Sequence, residues 1–360
     1  MVVRDAAGAL DPNIVFKVGG GFDAARKITQ VLNSEAIGTN NTVVYTVAQE
    51  VQLVLDAFEG KARAAQGGGR VVRTYETNMG GRFVSHLREV EAEKLFAAVA
   101  SKAGEEKAQA LLDELAAAVG VDDDTLQGLA SASVAEKAEA VCAYKFLKSL
   151  DQDVVLKAAE VAGQSPEAIQ QLEADLKKGG TLVARRVYWV FYAPENRPKW
   201  VSYLSKTYNL SEDQAQWILE SMDVLPASKR IPEDSLDALG QMNMCHTEFP
   251  NHQRAVQIMS EGAGFNLADY KESILDTYEP GVAQRLRELS DYCRGYDLTP
   301  SLKDFLVNEV GVDVSSWQTQ GLEPSDWPNF GSVQKTSAEF EAAYNTFAEK
   351  CVGIAKEMAG

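Results

Sequence analysis

Histidine, the commonest general base, occurs three times, at His86, His246 and His252. No serine stands in the Gly-x-Ser-x-Gly turn that exposes a nucleophile. His86 falls on an apolar helical face and reads as structural. Cys245, His246 and His252 lie close together, but a zinc site needs about four ligands in tetrahedral order. The fourth would have to be Glu248 or Cys293, and the spacing fits no standard finger, so we expect neither metal nor cofactor. Gly19, Gly20 and Gly21 precede a helical pattern and could turn backbone N–H groups toward an anion. They lack the Gly-Lys-Ser/Thr ending of a P-loop and the spacing of a dinucleotide turn. Asp23 occupies the place of the phosphate, which predicts a helix capped by its own carboxylate.

Positive charge is concentrated in two stretches of an acidic chain. Lys61, Arg63, Arg70, Arg73, Arg82 and Arg88 face Glu76 alone between residues 60 and 88, and Arg185, Arg186, Arg197, Lys199 and Lys206 face Glu195 alone between 183 and 206. In the first, Arg63, Arg70, Arg73 and Arg82 are candidates for holding a small anionic substrate. The second also carries Tyr188, Trp189, Phe191, Tyr192, Trp200 and Tyr203. Arginine among aromatics is the composition of protein-interface hot spots and also of base-stacking platforms; the acidic remainder favours protein. Arg185, Arg186, Tyr188, Trp189, Tyr192, Arg197 and Trp200 are therefore partner-interface candidates. Trp317 and Trp327 join them from a Pro-containing loop with Pro324, Pro328 and Phe330. The competing reading is internal: the rings form a core and the arginines pair with acidic helices.

Helices must position these residues. Phe22, Ala25, Ile28 and Leu32 recur at helical spacing. After the cap candidates Asn40, Asn41 and Thr42, the residues Val44, Val47, Val51, Val54 and Phe58 line one face of a longer helix. Gly67–Gly69 stops it, and Arg70–Thr77 reads as a short strand. From about residue 105 a corner recurs every 43 to 55 residues, at Gly120, Gly163, Asn209, Gly264 and Gly311. Gly or Asn tolerates the left-handed conformation that closes a helix. Two residues on, Asp122, Ser165, Ser211, Asn266 or Asp313 can cap the next helix, with Ser211 and Gln214 spaced for a capping box. Thr336 and Glu339 fit a second box. Beyond it Phe340, Tyr344, Phe347, Cys351, Ile354 and Met358 step by four and three, a coiled-coil-like seam that packs on its own domain or on a partner.

The expected architecture is mainly α: an irregular helical bundle or helical-repeat array with a small glycine-rich N-terminal unit. It divides as residues 1–103, the helix-corner array 104–335 and the terminal amphipathic helix 336–360. In 360 residues, 52 acids against 35 bases leave a net charge of −17, which disfavours a general phosphate-binding surface. The helix-turn-helix spacing of Trp200–Glu220 places Glu212, Asp213 and Glu220 where a reading helix needs bases, excluding direct nucleic-acid readout. No apolar run is long enough to span a bilayer, Met1–Asp11 lacks a signal peptide's apolar stretch, and four scattered cysteines suit a reducing compartment. Organelle import and a virus particle stay open. The leading expectation is a non-catalytic structural or scaffolding subunit working through other subunits or self-association. The alternative is an enzyme or ligand-binding protein holding an anion at the N-terminal arginines.

Overall fold

The computed structural model describes residues 15–129, 131–224, 250–266, 269 and 280–359. The chain is mainly α-helical, with a small four-stranded parallel sheet in the order β1-β2-β3-β4. It divides into two compact units, one of residues 1–79, 184–276 and 295–360 and the other of residues 80–183 and 277–294. Among the described residues no helix is long and apolar enough to cross a membrane.

The first unit holds the sheet: β1 (Val15–Gly19), β2 (Gly38–Val44), β3 (Thr74–Asn78) and the two-residue β4 (Met222–Asp223). Helix α1 (Ala24–Ser34) joins β1 to β2, and α2 (Val47–Gln66) joins β2 to β3. Asn41 pairs in register with Glu76, and the ladder is irregular between Asn41 and Val44. Val43 there has φ +61°, a left-handed conformation that is a true outlier for a β-branched residue.

Two expectations are corrected here. Asn40, Asn41 and Thr42 do not cap a helix; they lie in β2, and the cap is Thr46, whose hydroxyl accepts from the Gln49 N–H. From there Val47, Val51, Val54 and Phe58 are buried as the spacing requires. Asp23 does not cap α1 with its side chain; its carboxylate pairs with Arg26 at 3.3 Å.

The layer between sheet and helices is polar. Thr29 and Asn33 form the buried face of α1 with Ala25; of the expected apolar stripe Phe22 and Ile28 are exposed and Leu32 is half-buried, and Val31 is exposed beside them. The Thr29 hydroxyl donates to Asn41 Oδ1 at 3.1 Å, and Asn41 donates to Glu76 Oε1 at 2.7 Å. Asn33 donates to Thr39 and accepts from the Thr74 hydroxyl at 2.7 Å. Buried polar groups are tolerable when paired in this way. Parallel strands covered on both faces ordinarily read as apolar runs; Gly38–Val44 does not, so its strand character is hidden in the sequence, whereas Thr74–Asn78 overlaps the short strand expected at Arg70–Thr77. Gly60 lets α1 and α2 meet, since a Cβ there would stand 2.5 Å from the Gln30 carbonyl oxygen.

Helix α8 (Pro166–Tyr192) contributes its last residues to this unit, and α9 (Arg197–Tyr208) and α10 (Glu212–Glu220) follow. Phe191 and Phe58 pack on Trp200 with centroids 4.8 and 5.7 Å away. The second unit is built from α3 (Gly80–Ala103), α4 (Glu105–Val119), α5 (Asp123–Gly128), α6 (Val134–Val141), α7 (Asp153–Val161), the start of α8 and short helices near residues 280–294. Phe83, Leu87, Phe96, Leu111, Leu112 and Leu115 are buried in it. Arg88 grips Glu173 through two bonds of 2.8 and 2.9 Å, the bidentate geometry that suits a buried guanidinium. His86 is buried: its Nε2 lies 3.2 Å from Asp291 Oδ2, and that bond is the main cause holding the Asp291 carboxyl below the usual range.

All five corners take left-handed backbone: Gly120, Gly163, Asn209, Gly264 and Gly311 have φ of 72°, 70°, 51°, 80° and 84°. Asp122 accepts from the Thr125 N–H, and Ser211 with Gln214 forms the reciprocal capping box. Gly311 differs, because it closes a π turn (Leu306–Val310) and no helix follows directly. Thr336 is not an N-cap either. The last helix starts at Gly331 and runs to Ala359, so Thr336 lies inside it, buried, where its hydroxyl meets Tyr45 Oη at 2.6 Å.

Candidate functional site

Most of the aromatic-basic stretch is spent inside the first unit. Tyr188, Tyr192 and Trp200 are buried. The Tyr192 hydroxyl donates to the Leu219 carbonyl at 2.8 Å, and the Trp200 indole N–H donates to the Val190 carbonyl at 2.8 Å. Trp327 is buried in the 3-10 turn Pro324–Asn329, donating to the Leu322 carbonyl at 3.1 Å. These four rings are core and offer no surface to a partner. Arg186, Trp189 and Trp317 satisfy one another. The guanidinium lies 3.7 Å from the Trp317 ring centre and 4.0 Å from that of Tyr296, donates to the Tyr296 carbonyl and stands 3.7 Å from Asp297. Trp189 packs on Trp317 with centroids 5.5 Å apart. Arg197 is engaged by Glu220 at 3.2 Å, and Arg185 is half-buried.

Of the anion candidates, Arg63, Arg70 and Arg73 lie in the first unit and Arg82 in the second. Arg63 pairs with Glu59 one helical turn away. Arg70 and Arg73 are exposed on the segment before β3. Arg82 lies in the second unit with its guanidinium 3.7 Å above the Tyr144 ring. Cys245, His246 and Glu248 fall outside the described residues. Among the described residues no group of three or more His, Cys, Asp or Glu side chains is placed to hold a metal ion.

One cluster of ionisable groups escaped the sequence reading. Glu50 in the first turn of α2 accepts from Asn78 at 2.8 Å. Glu76 accepts from Asn41, and Lys61 donates to the Ser221 hydroxyl at 2.6 Å. All are buried, and Glu50 Oε1, Glu76 Oε2 and Asn78 Oδ1 have no hydrogen-bond donor. Burial pushes both glutamic acids well above the carboxylate range, with the Glu76 and Asp223 charges adding to the effect at Glu50. Burial also drives Lys61 well below the ordinary lysine value, against the opposing pull of Glu76. The ends of parallel strands are where open α/β sheets bind ligands. Here the carboxyls are sealed, so the cluster has the chemistry of a site without an approach. The signal was the inward run Thr74, Glu76, Asn78 at strand spacing, which is legible only once the strand is known.

The terminal seam has the opposite character. Phe340, Tyr344 and Phe347 are 50%, 68% and 65% exposed, and Ile354 and Met358 are exposed with them. From Glu341 to Met358 every residue except the half-buried Ala348 is exposed around the full circumference. The root of this helix is fixed. Val333 is buried against the N-terminal glycines, where a Cβ on Gly21 would stand 2.7 Å from Val333 Cγ1. Tyr45 clamps the next turn through Thr336. Gly21 thus serves the close approach of a helix. A smaller apolar surface lies on α1 and β1, where Val15, Ile28 and Val31 are 42–45% exposed.

No protein-family model matches the chain, and no curated protein or solved structure is significantly similar to it.

Proposed function

We propose that the chain is a non-catalytic structural subunit whose terminal helix is its contact with the rest of an assembly. The observation that carries this reading is the exposed seam from Phe340 to Met358. Scattered apolar side chains on a surface need no explanation, but six at coiled-coil spacing on one helix do. Isolated helices are marginal in water even for alanine-rich sequences. This one carries Thr346, Val352 and Gly353, and a glycine inside a helix costs about 1 kcal/mol relative to alanine. A covering surface would supply the stability that the sequence lacks. The outward apolar face of α1 is a second, smaller place for such contact.

The test is the native mass of the protein in gentle extracts of its source. We expect elution far above 39.2 kDa, collapsing when Phe347→Glu replaces the wild type while far-UV helicity of the purified chain is kept to within the loss of the last helix. Free monomer in the extract overturns the reading. The alternative, an anion-holding protein, predicts a rise in melting temperature with millimolar phosphate that Arg73→Ala removes.

A further inference from the structure

We infer that the surface covering the terminal seam is the same seam of a second copy, running antiparallel; this rests on the reading of that helix as the contact. In heptad terms Tyr344, Cys351 and Met358 occupy a positions and Phe340, Phe347 and Ile354 occupy d positions. An antiparallel pair sets a against d. With Phe347 opposite Cys351 of the other copy, Tyr344 falls opposite Ile354 and Phe340 opposite Met358. Every seam residue then has a partner, and each aromatic ring meets a smaller or more flexible side chain, the large-against-small alternation that fills a core evenly. A parallel pair stacks three aromatic layers on themselves and leaves Cys351 against Cys351. The antiparallel pairing is also isologous, each contact occurring twice across a two-fold axis near Glu349, as closed dimers require.

The area suffices. A covered Phe or Tyr buries about 150–250 Å², so three rings at the observed exposure yield about 350 Å² per copy. With Cys351, Ile354 and Met358 the two copies together reach about 1,000 Å², the lower bound for a specific interface. Electrostatics favour the same direction. Each chain carries −17; a parallel pair would set the two helix roots side by side, whereas the antiparallel pair separates them by about 27 Å, the length of Phe340–Met358 at 1.5 Å per residue. That exceeds the Debye length of about 8 Å at physiological salt. The flanking positions do not oppose contact: Ala343, Ala348 and Ala355 are small, and the one like-charge approach, Lys350 against Lys350, lies on an exposed surface where water and salt screen it. The polar face holds Glu339, Glu341, Glu349 and Glu357 against Lys350 and Lys356, the wrong sign for an anionic membrane.

The experiment uses the purified full-length chain. Light scattering at micromolar concentration is expected to give twice 39.2 kDa for the wild type and the monomer mass for Phe347→Glu. In a Cys351→Ser background, Phe340→Cys and Met358→Cys chains treated with a short bis-maleimide are expected to form covalent dimer only when mixed. Efficient cross-linking of Phe340→Cys with itself means a parallel pair and overturns the proposal, as does a wild-type monomer at every concentration. A monomeric purified chain whose native mass in extracts still collapses on Phe347→Glu overturns self-pairing alone and leaves the assembly reading with a different partner. No response in either measurement removes both.

Discussion

Two aromatic clusters, Tyr188–Tyr203 and Phe340–Phe347, look alike in the sequence and end in opposite places. The first is denser in rings, and its tyrosines and tryptophans are largely enclosed, with Trp200 held between Phe191 and Phe58. The second is sparser and exposed throughout. The difference is what the chain places against each cluster. Phe58 of α2 packs against it, Val190 of α8 supplies the carbonyl for the Trp200 donor, and Leu219 of α10 the one for Tyr192. Nothing among the described residues covers the second. Ring density signals burial of some kind; only the supply of neighbours within the chain decides whether it is internal.

The comparison breaks if the two clusters respond alike to truncation. Trp200→Ala should cost about 3–5 kcal/mol in urea unfolding, from lost transfer and the cavity left behind. A loss under 1 kcal/mol would mean that the ring is not part of a packed core. Next in size, Gly21→Ala should cost about 1–3 kcal/mol, because the new methyl must displace Val333 in a packed site. The same variant should raise amide exchange in the first two turns of the terminal helix; unchanged protection there would separate the glycines from the helix root.

Smaller again is a pH effect in the sealed carboxyl cluster. A carboxyl whose native pKa is raised contributes stability that is complete below the ordinary carboxylate range and is lost as pH rises toward its native value. Lys61, lowered, works in the other direction: its contribution is complete above the lysine range and shrinks as pH falls. Glu50→Gln removes one contribution that fades with rising pH and keeps an acceptor for Asn78. From pH 5 to pH 8 the variant should therefore gain stability relative to wild type, and equal pH slopes would show Glu50 to be ionised in the fold. Smallest of all, Phe347→Ala in dilute monomer should change unfolding free energy by no more than about 0.5 kcal/mol; a larger cost would place that ring in a core.

How much of this was legible follows from the same distinction between local and distant causes. The left-handed residues at all five corners were readable, and at Gly120, Gly163 and Asn209 so was the capping side chain that follows, because this is a local device. The apolar face of α2 was readable from its spacing, and the seam from Phe340 onward from its heptad steps. Of the sheet, only the strand near Arg70–Thr77 was. The inward positions Thr39, Asn41 and Thr74 are held by hydrogen bonds to Thr29 and Asn33 of α1, and Glu76 by one to Asn41, pairings set by tertiary structure alone. The same applies to Arg186, whose partners Tyr296, Asp297 and Trp317 lie more than a hundred residues away. Charge clustering in the sequence showed that these arginines needed partners without showing where the partners were.

The polar layer under the sheet has a thermal consequence. Exposing apolar surface on unfolding raises the heat capacity by about 0.45 cal/K/mol per Å², whereas exposing polar surface lowers it by about 0.26. A layer that buries Thr29, Asn33, Asn41, Glu50, Lys61, Glu76 and Asn78 therefore contributes a smaller heat-capacity increment than an apolar layer of the same area. Its free energy of unfolding varies less with temperature than it would if the same positions held valine and leucine, and the layer loses less of its stability on cooling.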